Sequence, residues 1–441
     1  MIKELYEPYF KDKKITVMGL GLLGRGIGDT AFLLSCGAEL LVTDKKTEEQ
    51  LKTSLDILKD HKNVEYHLDG HELSDFQNRD FILKASGVPF DSEYITHAKT
   101  NNVPVYMSGA LLCDIVMKEL SNCVIIGVTG TRGKTTMTEL TAHILRENGS
   151  RVHLGGNIRG VANLPILEVI EDGDFLVLEL DSWQLQGFGD MKLSPNIAVF
   201  TSFMDDHMNY YKNDKKLYFN DKANIYRYQN KGDVLIASTQ ALEEIKKYDK
   251  VKDVIVPKEI HFNMNMIGKH NQVIASLAYE VGIQCGLDDE SIINAIKTFS
   301  SSHGRLEDMG VFQGVRVFND NNATTGDATV VGIQSIYETY NVKPIIILGG
   351  TDKGLDITKL EKEIKEKTKT HILLSGTGTD KLNLSKEYLY ETLSECLEDA
   401  FSKAKEGDII LFSPAFASFS KYFNNEYERN DLFVSLLQKY L

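Results

Sequence analysis

The chain has few cysteines and a shortage of positive charge, and it contains no long apolar run. Its five cysteines, Cys36, Cys113, Cys123, Cys285 and Cys396, are scattered without a C-x-x-C pair. That spacing excludes a cysteine zinc site and a disulfide framework, and leaves them as reduced core thiols. Forty-nine Lys and Arg against 63 Asp and Glu give a net charge of −14. Such a balance argues against a nucleic-acid partner held through its phosphates, although a local basic pocket for a phosphorylated small molecule stays open. No stretch approaches the roughly 20 apolar residues that span a bilayer. Met1–Leu5 lacks a charged-then-apolar targeting pattern, so a cytoplasmic location without a membrane partner is expected. A content of 42% hydrophobic and 25% charged residues is that of a globular protein, and 441 residues exceed one ordinary core.

What is present is sharpest at residues 127–136, Gly-Val-Thr-Gly-Thr-Arg-Gly-Lys-Thr-Thr, directly after the apolar run Val124–Ile126. The order is strand, glycine loop, helix start, with Met137, Leu140 and Ile144 giving the helix an apolar face. Gly130 and Gly133 let backbone N–H groups of Thr131, Arg132 and Thr136 close around phosphate oxygens. Lys134 reaches toward the β/γ-phosphates and Thr135 offers a hydroxyl to Mg²⁺. Val128 stands where the commoner phosphate-loop pattern has its first glycine. A tight βα turn is the bland alternative, and the flanking strand and helix favour nucleotide binding over it.

Three α/β stretches follow one another, with boundaries expected at 1–111, 112–299 and 300–441. In the first, Lys14–Gly19 leads into Gly19-Leu20-Gly21-Leu22-Leu23-Gly24, and the strand Leu40–Thr43 ends at Asp44. This is a Rossmann-like unit. Taken alone it suggests a dehydrogenase with Asp44 on a ribose, but the same loop serves any diphosphate. In the second, Phe175–Leu180 is a buried-strand pattern whose acid, Glu179, falls where open α/β sheets bind ligands. It is a candidate Mg²⁺ ligand, and Asp205-Asp206-His207 follows the strand Ile197–Thr201. The third stretch alternates the strands Lys343–Leu348, Thr370–Leu374 and Asp408–Phe412 with helical runs, a second doubly wound unit.

Gly130–Thr135, Gly155-Gly156-Asn157-Ile158, Leu178–Leu185, Asp206-His207-Met208, His270-Asn271, Arg305-Leu306-Glu307, Asn319-Asp320, Gly349–Gly354 and Ser413–Phe419 form one ordered series. In that order and over essentially the whole chain, the series resembles the Mur ligase family. The resemblance implies a Rossmann-like N-terminal domain, a central P-loop ATPase-type mononucleotide-binding domain and a Rossmann-like C-terminal domain. It implies an ATP- and Mg²⁺-dependent, monomeric ligase of peptidoglycan precursor synthesis that adds glutamate to UDP-N-acetylmuramoyl-L-alanine through an acyl phosphate. No redox cofactor is then expected. Gly21, Leu22, Leu23, Asp44, Lys45, Ser86 and Gly87 would line the uridine diphosphate pocket. Asn157, Ser182 and Gln184 would lie toward the muramoyl-alanine end. Lys134 and Thr135 would cradle the phosphates, and Glu179, His207 and Thr135 would hold metal with Lys222, which aligns with a carbamylated lysine. Asn271, Arg305 and Asp320 would serve ATP; Thr324, Lys353, Ser418 and Phe419 would frame the glutamate.

The chain departs from the family pattern at Arg132, Asp181, Trp183, Ile274, the added Gly304, Asn322 and Asn430. Asn322 removes a lysine from the expected active site; D-glutamate is the favoured amino acid, with an L-glutamate-adding member of the family as the alternative. The rival readings are a folylpolyglutamate-synthetase-like ligase, disfavoured by the Gly19–Gly24 unit, and a non-catalytic nucleotide binder, disfavoured by the retained Lys134, Glu179, His207 and Lys222.

Overall fold

The structure, a computed structural model, describes residues 1–441 apart from Leu22, Leu23, Phe90, Glu259, Ser420, Lys421, Tyr422 and Asn424. Its described residues form three sheets. The first contains β1 (Lys14–Met18), β2 (Glu39–Asp44), β3 (Val64–Leu68), β4 (Phe81–Lys84) and β5 (Val105–Tyr106), all parallel, in the order 3-2-1-4-5. The second contains β6 (Val124–Thr129), β7 (Val152–Gly156), β8 (Phe175–Glu179), β9 (Ile197–Phe200), β10 (Val234–Ala237) and β11 (Val254–Ile255), again parallel, in the order 11-10-9-6-8-7. The third contains β12 (Glu307–Phe312), β13 (Val315–Asn319), β14 (Ile345–Gly349), β15 (Thr370–Leu374), β16 (Leu389–Tyr390) and β17 (Ile409–Phe412), in the order 12-13-17-14-15-16. Only its edge pair β12–β13 is antiparallel among the described strands.

Parallel strands need helical crossovers, which cover both faces and make the strands apolar throughout rather than alternating. The third sheet follows this rule. Ile345 and Ile347 pack on one face with Leu397 and Phe433, while Ile346 and Leu348 pack on the other with Val330 and Ile333. Two compact units result, Met1–Lys258 with Ser276–Ile292 and Glu259–Ala275 with Ile293–Leu441. Within the first unit the two sheets share a core, in which Val17, Leu20 and Phe32 join Leu164, Leu176 and Leu185. Helix Arg25–Ser35 is held there by a polar bond as well, because the Leu164 N–H donates to Asp29 Oδ1 at 2.8 Å. Among the described residues no helix is long and apolar enough to cross a membrane.

Candidate active site

In open α/β sheets ligands bind beyond the carboxyl ends of the strands, where the strand order reverses. In the first sheet that point lies between β1 and β4. Gly19 and Gly21 follow β1, and Ala85, Ser86 and Gly87 follow β4. Both glycines have positive φ, 88° and 70°, so the chain turns there at little steric cost. Two cavities meet at Gly19, Gly21 and Ala85. One, of about 480 Å³, has Asp44, Lys45, Gly87, His71 and Tyr94 in its wall. The other, of about 230 Å³, has Arg25, Asp29, Lys84, Ser86, Asn163 and Gln184. Gly21, Asp44, Lys45, Ser86 and Gly87 are therefore gathered in one groove; Leu22 and Leu23 lie outside the described residues. Asp44 is buried and its carboxylate accepts from the N–H groups of Leu20 (2.9 Å), Gly21 (3.3 Å) and Lys46 (3.0 Å). Its first task is to hold the glycine loop in shape.

The second sheet places three strand ends side by side. β6 runs into the loop 130–133 and helix Lys134–Glu147, β8 ends at Glu179, and β9 runs into 201–207. The loop is tied to the β9 exit: Thr131 N–H donates to Ser202 O (2.8 Å) and Arg132 N–H to Ser202 Oγ (2.9 Å). Thr131 Oγ1 further accepts from Met204 N–H at 2.9 Å. These two N–H groups, expected at the phosphates, thus serve the loop itself in this structure. What faces a ligand is the start of the helix, where Gly133 caps in a left-handed conformation and Thr135 and Thr136 begin the first turn, whose N–H groups lack intrahelical partners.

Two lysines converge on one carbonyl. Lys134 Nζ donates to Gly130 O at 3.1 Å and Lys222 Nζ to the same oxygen at 2.8 Å, with Thr129 Oγ1 at 3.3 Å from Lys222. Lys222, near the end of helix Lys215–Ala223, is 1% exposed. Burial and then the Lys134 charge push its pKa well below the ordinary lysine value, against the pull of Asp181, Asp206 and Asp221. His207 has φ +54° and rests 4.7 Å, centroid to centroid, from the Trp183 ring. Burial lowers its pKa, with Asp206 and Asp181 opposing, so the imidazole is neutral at pH 7.

Between the groove and the loop lies a polar seam. Asn157 N–H donates to Glu179 O (2.7 Å), and Asn157 Oδ1 accepts from Arg25 Nη1 (2.6 Å). The Gln184 amide lies 3.0 Å from Glu179 O and 3.3 Å from Asn157 N. Gly156 is forced at this seam, since a Cβ there would lie 2.1 Å from Glu179 O. Asp181, one of the departures, caps helix Ser182–Met191 by accepting from Gln184 N–H at 2.8 Å. Ser182 is buried beside the Tyr211 hydroxyl. Sequence reasoning passed over Arg25, Asp29, Asn163 and Lys84. The signal for Lys84 was there, a charge closing the apolar strand Phe81-Ile82-Leu83.

The second unit carries the rest. Asn271 donates to Ile267 O (2.8 Å), and Arg305 keeps its Nε buried without a protein partner. Asp320, expected to serve ATP, accepts from Leu306 N–H (3.1 Å) and Ser413 Oγ (2.8 Å), so its carboxylate braces the β13 exit. Lys353 Nζ donates to Thr324 Oγ1 at 2.9 Å, which brings two of the expected glutamate residues together. Ser418 is buried, and Phe419 is 61% exposed. Three departures meet here. Asn430 Oδ1 accepts from Asn319 Nδ2 (2.9 Å), Asn322 Nδ2 donates to His303 O (3.1 Å), and a Cβ on Gly304 would lie 3.0 Å from Asn430 Oδ1.

Residues 128–256 match the Mur ligase middle domain. A UDP-N-acetylmuramoylalanine–D-glutamate ligase of Borreliella afzelii is 33% identical, the alignment covering 97% of this chain and 98% of that one. The enzyme of the same name from Clostridioides difficile is 29% identical, covering 96% and 97%. Among solved structures, the UDP-N-acetylmuramate-alanine ligase of Thermotoga maritima superposes with a TM-score of 0.62 at 19% identity, covering 97% of this chain and 99% of that one. The MurF ligase of Thermotoga maritima in complex with ADP gives 0.60 at 15%, covering 99% and 97%. A full-length relative at this identity, together with a phosphate loop, a strand-end acid and a histidine in the expected order, establishes that the chain belongs to the Mur ligase family.

Proposed function

We propose that the chain is an ATP-dependent ligase that joins D-glutamate to UDP-N-acetylmuramoyl-L-alanine, releasing ADP and phosphate. The observation that carries this reading is the seam through Arg25, Asn157 and Gln184, which links a two-part groove at one sheet's switch point to the phosphate loop of the next. A groove sized for a sugar nucleotide and a loop built for ATP then serve one reaction. Residues 1–111 bind the sugar nucleotide, 112–299 bind ATP, and 300–441 carry the glutamate residues, with Asn271, Arg305 and Asp320 serving the nucleotide.

A carboxylate does not condense with an amine in water, so it is activated first. The acceptor's carboxylate oxygen attacks the γ-phosphorus, ADP leaves, and glutamate's free amine then attacks the acyl carbon and expels phosphate. The protein's contribution is positioning and charge neutralisation. Lys134 uncurls from Gly130 O and Thr131 O onto the phosphates, while the first turn of its helix supplies N–H groups. Asn157 and Gln184 orient the muramoyl-alanine end. Thr324, Lys353, Ser418 and Phe419 frame the amino acid.

Among the described residues no three His, Cys, Asp or Glu side chains converge as a metal site. The hard oxygen donors Thr135 and Glu179 suit Mg²⁺, the His207 imidazole would be a weaker nitrogen donor beside them, and a cationic Lys222 does not suit it. A neutral amine at Lys222 adds carbon dioxide and releases one proton, and the anionic carbamate so formed would complete the donor set. Bound there, Mg²⁺ supplies neutralisation of the charge that builds on the transferring phosphoryl oxygens.

The test is phosphate release by the purified chain with ATP, Mg²⁺ and UDP-N-acetylmuramoyl-L-alanine, run with D-glutamate, L-glutamate or neither. Release that requires D-glutamate, with a product heavier by one glutamyl residue, is expected. Release that follows L-glutamate would correct the isomer, and no product with either would overturn the reading.

A further inference from the structure

Lys84 is the last residue of β4 and pairs with Met18 of β1, so it stands at the reversal of strand order in the first sheet. It is 2% exposed, yet it belongs to the wall of the 230 Å³ cavity. The wall opposite is made by Gly19, Gly21, Arg25 and Gly26, the glycine loop and the start of an 11-residue helix. Nζ donates to the carbonyls of Ala85 and Val88. A leucine or methionine would fill this position at less desolvation cost, because a buried amine must either lose its proton or find negative charge.

We propose that Lys84 positions the sugar nucleotide by ion pairing with its diphosphate, changing from amine to ammonium as the ligand enters. This deepens the ligase reading and rests on it. In the free protein, burial holds the Lys84 pKa at about 7. Asp181, then Asp190 and Asp221, pull it up, and Lys99 pushes it down. Asp29, itself raised by burial to about 6, and Arg25 complete the charged groups of the cavity wall. At neutral pH the amine is therefore poised near half protonation. Opposite charge within a few ångströms raises a lysine pKa, so the complex binds a proton that the free protein lacks. Between pH 7 and 8 the ligand keeps its charge, since both its phosphates are esterified, its carboxylate ionises far below neutrality and its uracil N–H ionises above this range. Asp29 titrates lower, so measurements above pH 7 isolate Lys84.

The experiment is calorimetric titration of UDP-N-acetylmuramoyl-L-alanine into the full chain between pH 7 and 8.5, in two buffers of different protonation heat. With a free pKa of about 7, the dissociation constant should rise about fivefold from pH 7 to 8, with net proton uptake. Lys84→Arg, permanently charged, should flatten the pH dependence; Lys84→Met should flatten it and weaken binding at pH 7. A native protein that binds without proton uptake, or a folded Lys84→Met protein that matches it, overturns the proposal. Should Lys84→Met fail to fold, the native uptake and the Lys84→Arg profile still decide. A native chain that ligates glutamate yet takes up no proton sinks only Lys84's role, whereas one that binds Mg²⁺-ATP but not the sugar nucleotide sinks the ligase reading too.

Discussion

Lys222→Ala probes the phosphate-loop chemistry most directly. The native amine shares the Gly130 carbonyl with Lys134 and also meets Thr129 Oγ1. Desolvation, and then the repulsion of a second ammonium at Lys134 on the same oxygen, push the Lys222 pKa well below the ordinary lysine value. An ordinary lysine offers only about one neutral amine in 2,500 at pH 7, and carbon dioxide reacts only with that form. Burial raises that neutral fraction. The substitution deletes three methylenes at about 0.8 kcal/mol each and two hydrogen bonds at about 1 kcal/mol each, so stability falls by roughly 4 kcal/mol at most. The rate should fall further, by roughly 10²–10³-fold, as when a preorganised group facing developing charge is lost. The assay is glutamate-dependent phosphate release beside a thermal melt, which separates misfolding from lost chemistry. Stripping carbon dioxide should slow the native chain and bicarbonate should restore it. The alanine variant should ignore bicarbonate and respond to formate or acetate, small carboxylates that enter the vacated space. A folded Lys222→Ala protein that ligates at the native rate refutes the argument.

Gly130 has φ +148°, and a Cβ there would lie 2.0 Å from Thr201 Oγ1 and 2.9 Å from Ser202 N, so Gly130→Ala should displace the loop and abolish ATP binding in a direct titration. For Asp29, burial raises the carboxyl pKa from the ordinary 3.8 to about 6, so the folded protein binds more protons than the unfolded chain between those values. Stability contributed by this group therefore falls as pH rises through that window, by about 3 kcal/mol in total. Asp29→Asn should accordingly gain stability relative to the native chain on going from pH 4 to 7 in denaturant titrations; a constant difference across the range would refute the sign. Asp181→Ser keeps a good helix cap but removes the acid that most strongly supports the Lys84 charge. The sugar nucleotide should then bind more weakly at pH 7, with an unchanged melt, and equal affinity would show that Asp181 only caps.

The parts of this fold legible in the sequence are those set by local pattern. Apolar runs marked Thr370–Leu374 without error, and the other strands named from the sequence were marked to within two residues at each end except β6, read as Val124–Ile126 and found to run on to Thr129, because parallel strands buried on both faces have little other composition open to them. The positions of the glycine loop 130–133 and of Glu179 were legible for the same reason, since they stand at the ends of β6 and β8, whereas His207 lies seven positions beyond the end of β9. What was not legible depends on packing between distant segments. Arg25 meets Asn157 across 132 positions, and Asp29 meets Leu164 across 135. No periodicity encodes such pairs. Asp44 and Asp320 illustrate the complementary problem: an acid at a strand end reads as a ligand contact, and here each carboxylate is engaged by backbone N–H groups of its own unit.

The departures from the family pattern acquire physical sense only in three dimensions, and they do so in groups. Read singly, Asn322 is a lost lysine, Asn430 a lost glycine and Gly304 an insertion. Together they form one contact set, in which Asn430 accepts from Asn319, Asn322 reaches the His303 carbonyl, Gly304 leaves room for both asparagine side chains, and the Glu307 carboxylate accepts from Gly304 N–H and Asn319 Nδ2. A lysine at 322 would bring a charge into this amide network, and a side chain at 304 would meet Asn430 and Asn322 at 3.0 and 3.2 Å. Each change removes the reason against the next, so the three are best regarded as a single alteration of the β13 exit. The cations at that end of the sheet include the exposed Lys353, bonded to Thr324, and the buried Arg429, which donates to Asn321 Oδ1 and O. Arg429 is engaged by the backbone and amide of Asn321, which leaves Lys353 as the cation of this pair that solvent reaches.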